Sequence, residues 1–292
     1  MKLYLDTQFL DLVLEQWAKG EHDYSKVYEL PIFQAFWKHQ EDYLHRPLSK
    51  EKCLHDLLFI DDIDMESHKE EIVRNMNYIR EIDLDMVLQH VKRYLPKECL
   101  YADRDVPIHL MIGIAGMALN DAIIMDPSPC PWFVNDGSNK EKYVNEHFIP
   151  VLAHELHHIG YKKIRQIAQT RKSKTTRELA ANLLCEFQME GGAQLCESSW
   201  DGSAISAQEK EELKGSWKEI QSILIGWIDR GLEIPTKADW DALTNGWRSG
   251  LFYRSTLLMC KVLISDGYYA SVADCMLDEP LAVYEKMSRL LE

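Results

Sequence analysis

The chain has 292 residues, 46% of them hydrophobic, with 47 acidic against 33 basic side chains and a formal charge of -14. That length and apolar content fill a sizeable core and argue against extended disorder, while the negative charge disfavours phosphate backbones and anionic lipid. No nucleic-acid or membrane partner is expected. Seven cysteines, widely spaced and without a C-x-x-C pair, read as free buried thiols in a reducing compartment. Asp6 and Asp11 interrupt any signal-peptide core, and no window offers about 18 uninterrupted apolar residues, so the expected location is cytoplasmic.

From Met1 to about Lys97 the spacing is helical, as in FLDLVLEQW, FQAFWKHQEDYL and EEIVRNMNYIREIDLDMVLQHVKRYL. His22, His39, His45, His55, His68 and His90 sit among charged neighbours there and read as helix-face or surface residues. The texture changes at Val106. PIHLMIGIAG has the content of a strand or strand pair, and DAIIMDPSP reads as a second short strand ended by Pro127 and Pro129. VNDGSNKEK follows as a loop. Pro150 then occupies the first turn of a helix or kinks a longer one beginning near Lys142, and the helix runs through VLAHELHHIGY toward Gln169. YKKIRQIAQTRKSK reads as that helix's end and a solvated loop. Thr175 with Glu178 forms a capping box for a second helix, ELAANLLCEFQMEGGAQLCE. After the polar loop SSWDGSAISAQEK, the stretches ELKGSWKEIQSILIGWIDRGL, GWRSGLFYRSTLLMCKVLISDGYY and LAVYEKMSRLLE read as helical and complete a helix-rich α+β chain. Its parts are a helical region at 1–105, a core at 106–200 and a helical region at 201–292, separate or folded as one unit.

The stretch HELHH contains H-E-x-x-H as His154, Glu155 and His158. On a helix, residues i and i+4 share a face, close enough for two imidazoles to hold one tetrahedral metal. Glu155 lies about 100° round the same turn, where it reaches a water on that metal without becoming a ligand. Zinc needs a third protein ligand. Glu190 in QMEGGAQ is the leading candidate, because two glycines at about 1 kcal/mol each in a helix interior make sense if the helix must approach another backbone closely. Glu186, one turn earlier on the same face, is the reserve ligand, and otherwise either a partner to a ligand histidine or an exposed residue. His157 stands three residues from His154 and either replaces His158 or supports the site from outside the ligand set. The plainer reading makes Glu190 a helix-terminal residue with Gly191 as its cap.

HELHH followed by EGGA resembles the gluzincin branch of zincin metallopeptidases. More narrowly, it resembles bacterial families of zinc-dependent proteases that carry H-E-x-x-H, a later E-G-x-A and a C-terminal Y-x-x-G-x-x-M. The resemblance implies a zincin-like core with one zinc per chain, held by His154, His158 and Glu190, and Glu155 as general base in peptide hydrolysis. A peptide or protein would be the substrate. Tyr253 and Met259 match the third motif, but Thr256 stands where the family has glycine, which weakens a catalytic role for Tyr253. Tyr253, His109 and His147 all remain candidates to stabilise the oxyanion. The family also uses an edge strand to pair with substrate, for which Ile123, Ile124, Met125 and Asp126 are the candidates, with Asp126 to Pro129 closing one end of the cleft. The alternative function is a zincin-like module without turnover that binds or regulates.

Overall fold

The computed structural model describes residues 2–44, 47–60, 63–100, 105–128, 140–165 and 170–291. His45, Pro129, Cys130, the loop at 134–139 and Gln166, Ile167, Ala168 and Gln169 of the YKKIRQIAQTRKSK stretch lie outside the described residues. The fold is α+β and predominantly helical, with a small mixed sheet. Among the described residues no helix is long and apolar enough to cross a membrane. The chain divides into two compact units, Met1–Leu88 with Ala102–Ile159, and Gln89–Tyr101 with Gly160–Glu292.

The first unit opens with β1 (Leu3–Asp6), a strand inside the stretch whose spacing is helical. Helices α1 (Gln8–Lys19), α2 (Ser25–Tyr28), α3 (Pro31–Leu44) and α4 (Lys50–Leu58) follow, then the antiparallel pair β2 (Phe59–Ile60) and β3 (Ile63–Asp64). The single helical run expected over 70–95 is broken into α5 (Lys69–Arg80) and α6 (Leu84–Val91). Asp83 supplies the break, its carboxylate accepting the Asp85 and Met86 amides in the way that favours helix starts.

Three strands come next: β4 (Val106–Leu110), β5 (Gly116–Leu119) and β6 (Ala122–Met125). The sheet order is β1-β4-β6-β5, with β5 antiparallel to β6 and the other pairings parallel. This corrects the substrate-strand expectation. Ile123, Ile124 and Met125 lie in a strand already paired on both sides, and all three are buried, so their backbone has no open edge to offer. The outer strands are β1 and β5, and the one beside β6 is β5, which is too short and too poor in β-branched residues to stand out.

A continuous helical run then starts at α7 (Lys140–Tyr143), widens into a π turn at Val144–Phe148 and continues as α8 (Ile149–Ile164). Of the two expectations for Pro150, the longer helix is the one found. Proline lacks an amide proton and its ring crowds the carbonyl four residues back, and the π turn relieves both, with the Ile149 amide donating to Val144 O. Helix α8 belongs to the first unit up to Ile159 and to the second from Gly160.

The second unit is helical, comprising α9 (Thr176–Glu197), α10 (Ala207–Arg230), α11 (Lys237–Arg248), α12 (Leu251–Ser265), α13 (Val272–Leu277) and α14 (Pro280–Leu291). Helix α9 packs against α10, α12, α13 and α14, which is why its apolar residues occur on every side instead of forming one stripe. Thr175 Oγ1 accepts the Glu178 amide, while Glu178 reaches back one residue further than expected, to the Lys174 amide at 2.7 Å. Glycines at 191 and 192 do not end the helix, which runs on to Glu197.

Candidate metal centre

Helix α8 is enclosed along most of its length. His157 is fully buried, Glu155 and His158 are each 8% exposed, and His154 is half-buried. Placing four polar side chains in a buried helix is unfavourable unless each is engaged. The His154 and His158 rings stand 4.6 Å apart between centroids and 88° to one another, so two imidazole edges converge on one side of the helix.

Helix α9 carries Glu190, half-buried near its middle. One donor atom from each of His154, His158 and Glu190 lies within 4.8 Å of the others, which makes these three a candidate metal site. In a tetrahedral zinc site, ligand atoms at about 2.0–2.2 Å from the ion stand about 3.4 Å apart. Two neutral nitrogens and one carboxylate suit zinc, and three protein ligands leave a fourth position for water or substrate.

The end of α8 and the middle of α9 are held together within the second unit. Tyr161 donates its hydroxyl proton to Gln188 Oε1, and Gln188 Nε2 donates to Asp278 O at 2.9 Å and to Cys275 O. Gln188 is fully buried, so these bonds are made away from water, where an unmade one is most unfavourable. Directly before Tyr161 in α8, a β-carbon at Gly160 would stand 2.2 Å from Leu95 Cδ1, so a side chain there would require Leu95 to move.

Gly191 shows what the glycine pair is for. A β-carbon there would stand 2.6 Å from Cys260 Sγ and 2.7 Å from Thr256 O, so α9 approaches the backbone of α12. A close approach exists, but its partner is α12, whereas the expectation from the sequence is that the glycines bring Glu190 to the helix that holds the metal. Thr256, standing where the resembling families have glycine, directs its hydroxyl elsewhere: it donates to Tyr253 O and accepts from Gln194 Nε2.

The other candidates take separate places. Glu186 accepts a hydrogen bond from Thr170 Oγ1 and is absent from the three-residue set. Tyr253 is 45% exposed on the first turn of α12, its ring against Trp247. His109 lies in β4 with Nδ1 3.3 Å from Asp6 Oδ2, and burial holds its pKa below the ordinary histidine range against the pull of Asp6. His147 lies in the π turn.

Asp126 closes no cleft by an exposed carboxylate. It is 7% exposed and accepts the amides of Gly113 at 2.6 Å, Ile114 at 3.1 Å and Ser128 at 2.7 Å. Burial raises its pKa to about 6 against the opposing effect of these bonds.

Two residues beyond that clamp, Gly116 begins β5. It faces α8, and a β-carbon on it would stand 2.5 Å from Val151 Cγ1 and 3.2 Å from Glu155 Oε1. The outer strand and the glutamate of HELHH are thus neighbours, a relation that sequence reasoning missed because the strand assignment fell on β6.

A family model described as "Putative zinc dependent peptidase" (DUF5700) matches residues 31–281. No curated protein and no solved structure matches the chain.

Proposed function

The chain belongs to that DUF5700 family, and from this premise we propose that it is a metallopeptidase of the gluzincin type, hydrolysing peptide bonds with Glu155 as general base. The observation that carries the reading is the convergence of His154, His158 and Glu190 beside a buried Glu155 that touches the outer strand of the sheet. His154, His158 and Glu190 would hold one zinc ion. When bound, zinc polarises a carbonyl and brings the pKa of a water to about 7.

Glu155 accepts the proton of the attacking water and passes it to the leaving amine. Its burial favours the step, because a carboxylate shielded from bulk solvent holds the proton until the amine departs. An extended substrate lies along the outer strand at its Gly116 end, which sets the scissile carbonyl above the carboxylate. With no side chain at 116, nothing intervenes between strand and base. Tyr253 remains the candidate second donor to the oxyanion. A peptide or protein is the substrate, and the cytoplasm is the proposed compartment.

The test is Glu155→Gln in zinc-loaded protein, with an unfolded protein such as β-casein as probe. The variant keeps its metal and loses cleavage by about a thousandfold or more if Glu155 is the base. Cleavage equal to that of the wild type sinks the role of Glu155, and absence of cleavage in both favours a binding or regulatory module.

A further inference from the structure

The turn joining β4 to β5 is clamped from two sides. On one side, Gly113 has φ +88°, and a β-carbon there would stand 2.7 Å from Leu57 O in α4, so the turn is pressed against that backbone. On the other, one oxygen of Asp126 accepts both the Gly113 and Ile114 amides, and its other oxygen accepts the Ser128 amide. Asp126 directly follows β6, the strand that β5 pairs with, and the ladder next to it is extended by the Met111 amide donating to Met125 O at 3.0 Å. The carboxylate therefore ties the start of β5 to the end of β6 through short bonds made out of water.

We infer that Asp126 is a positioning residue for the peptidase site, fixing through Gly113 and Ile114 the height of the outer strand β5 above Glu155. The chain of contacts is short. Gly116 follows Ile114 by two residues and rests on Val151 and Glu155 with no room for a methyl group. A carboxylate is the group the place requires, because it presents acceptor lone pairs to three amide donors. Asparagine offers one oxygen and one NH2, and the NH2 would face an amide proton. Burying a carboxylate at this spot is unfavourable for folding, and the return is a strand held at one height.

Tests use the full-length, zinc-loaded chain, and the activity readout rests on the peptidase reading above. In Asp126→Asn, amide exchange across 113–119 is expected to accelerate by about tenfold or more, with α8 unchanged and zinc content kept. With β-casein as probe, KM rises by about fivefold or more while kcat changes less than about twofold, the pattern of lost binding along the strand. Unchanged exchange across 113–119, or acceleration spread evenly through sheet and α8, overturns the inference; so does a fall in kcat with KM intact. If Asp126→Asn does not fold, Asp126→Glu, which keeps the charge but moves the oxygens outward, should speed exchange across the same segment, and exchange identical to wild type there overturns the inference. Should the wild type cleave no probe, the peptidase reading fails, and exchange alone decides whether Asp126 holds the strand.

Discussion

Gly116 lies directly against Glu155, so close that a β-carbon on the glycine would stand 3.2 Å from both Glu155 Cγ and Oε1. Strand and helix meet here with nothing between them, and the working carboxylate of the proposed mechanism is lodged under the first residue of β5.

Gly116→Ala is therefore predicted to harm activity far more than metal binding. The added methyl also meets Val151 Cγ1 at 2.5 Å, and overpacking of this kind destabilises by about 1–3 kcal/mol. Elemental analysis should show zinc retained, thermal melts a lower midpoint, and cleavage of β-casein a fall of about tenfold or more as the carboxylate is displaced. Wild-type activity in the variant would mean that the strand and Glu155 do not work together.

Gly191→Ala probes the other helix. Its methyl would meet the Thr256 carbonyl at 2.7 Å, and a backbone oxygen in the middle of α12 has little freedom to yield. Helix α9 must shift, taking the adjacent Glu190 with it. Zinc should be lost to a chelator about tenfold faster or more, in line with the effect of disturbing the support of a metal ligand.

Replacing Gln188 by leucine removes three hydrogen bonds from the interior at once. Tyr161 loses its acceptor, and the carbonyls of Cys275 and Asp278 lose their donor. Denaturant unfolding should show a loss of about 3 kcal/mol or more, since each buried group left unpaired costs about 1–3 kcal/mol.

Asp126 gives stability a particular pH dependence. Its folded pKa, about 6, lies above the ordinary 3.8, so between those values the folded chain binds the proton more tightly than the unfolded chain does. Its contribution to stability is fully present below pH of about 4 and is lost as pH rises through 6, by about 3 kcal/mol at 1.4 kcal/mol per unit. Denaturation of wild type and Asp126→Asn from pH 4 to 7 should show a stability difference that shifts in favour of the variant as pH rises. A difference independent of pH would mean that Asp126 is ionised throughout.

Most helices were legible because their apolar residues recur at three and four, and because punctuation such as Thr175 with Glu178 marks a start. Where the pattern runs on across a break, the eye follows the pattern. The helical texture at 246–269 continues through Ser249 and Gly250, yet Gly250 adopts φ +77° and separates α11 from α12. The start of α10 was hidden likewise: Ser206 and Glu209 form a capping box inside what reads as a polar loop. The short strands were harder. Leu3–Asp6 is a strand because it pairs with Val106 and its neighbours a hundred residues away, and local spacing carries no trace of that. Which of β5 and β6 lies outermost is equally non-local, which is why the substrate strand fell on buried residues.

At the candidate site the balance is similar. His154, Glu155 and His158 are visible as a spacing on one helix, and Glu190 through the expense of two glycines beside it. Gln188, Gly116 and the clamp at Asp126 act through contacts between distant segments, and no periodicity announces them. Among these, Gly116 left a faint signal, as one of two glycines in a strand-rich run, and Asp126 stands out in the sequence only as a residue of the expected substrate strand, not as a clamp.

The most direct test of the whole account is metal content per chain, measured by elemental analysis on purified wild type beside Glu190→Ala and Glu186→Ala. About one zinc is expected in wild type and in Glu186→Ala, with most of it lost from Glu190→Ala, because a site of two histidines and a carboxylate loses most of its affinity with one ligand removed. Wild type that takes up no zinc when supplied with it, or Glu190→Ala that holds as much as wild type, would contradict the three-ligand centre.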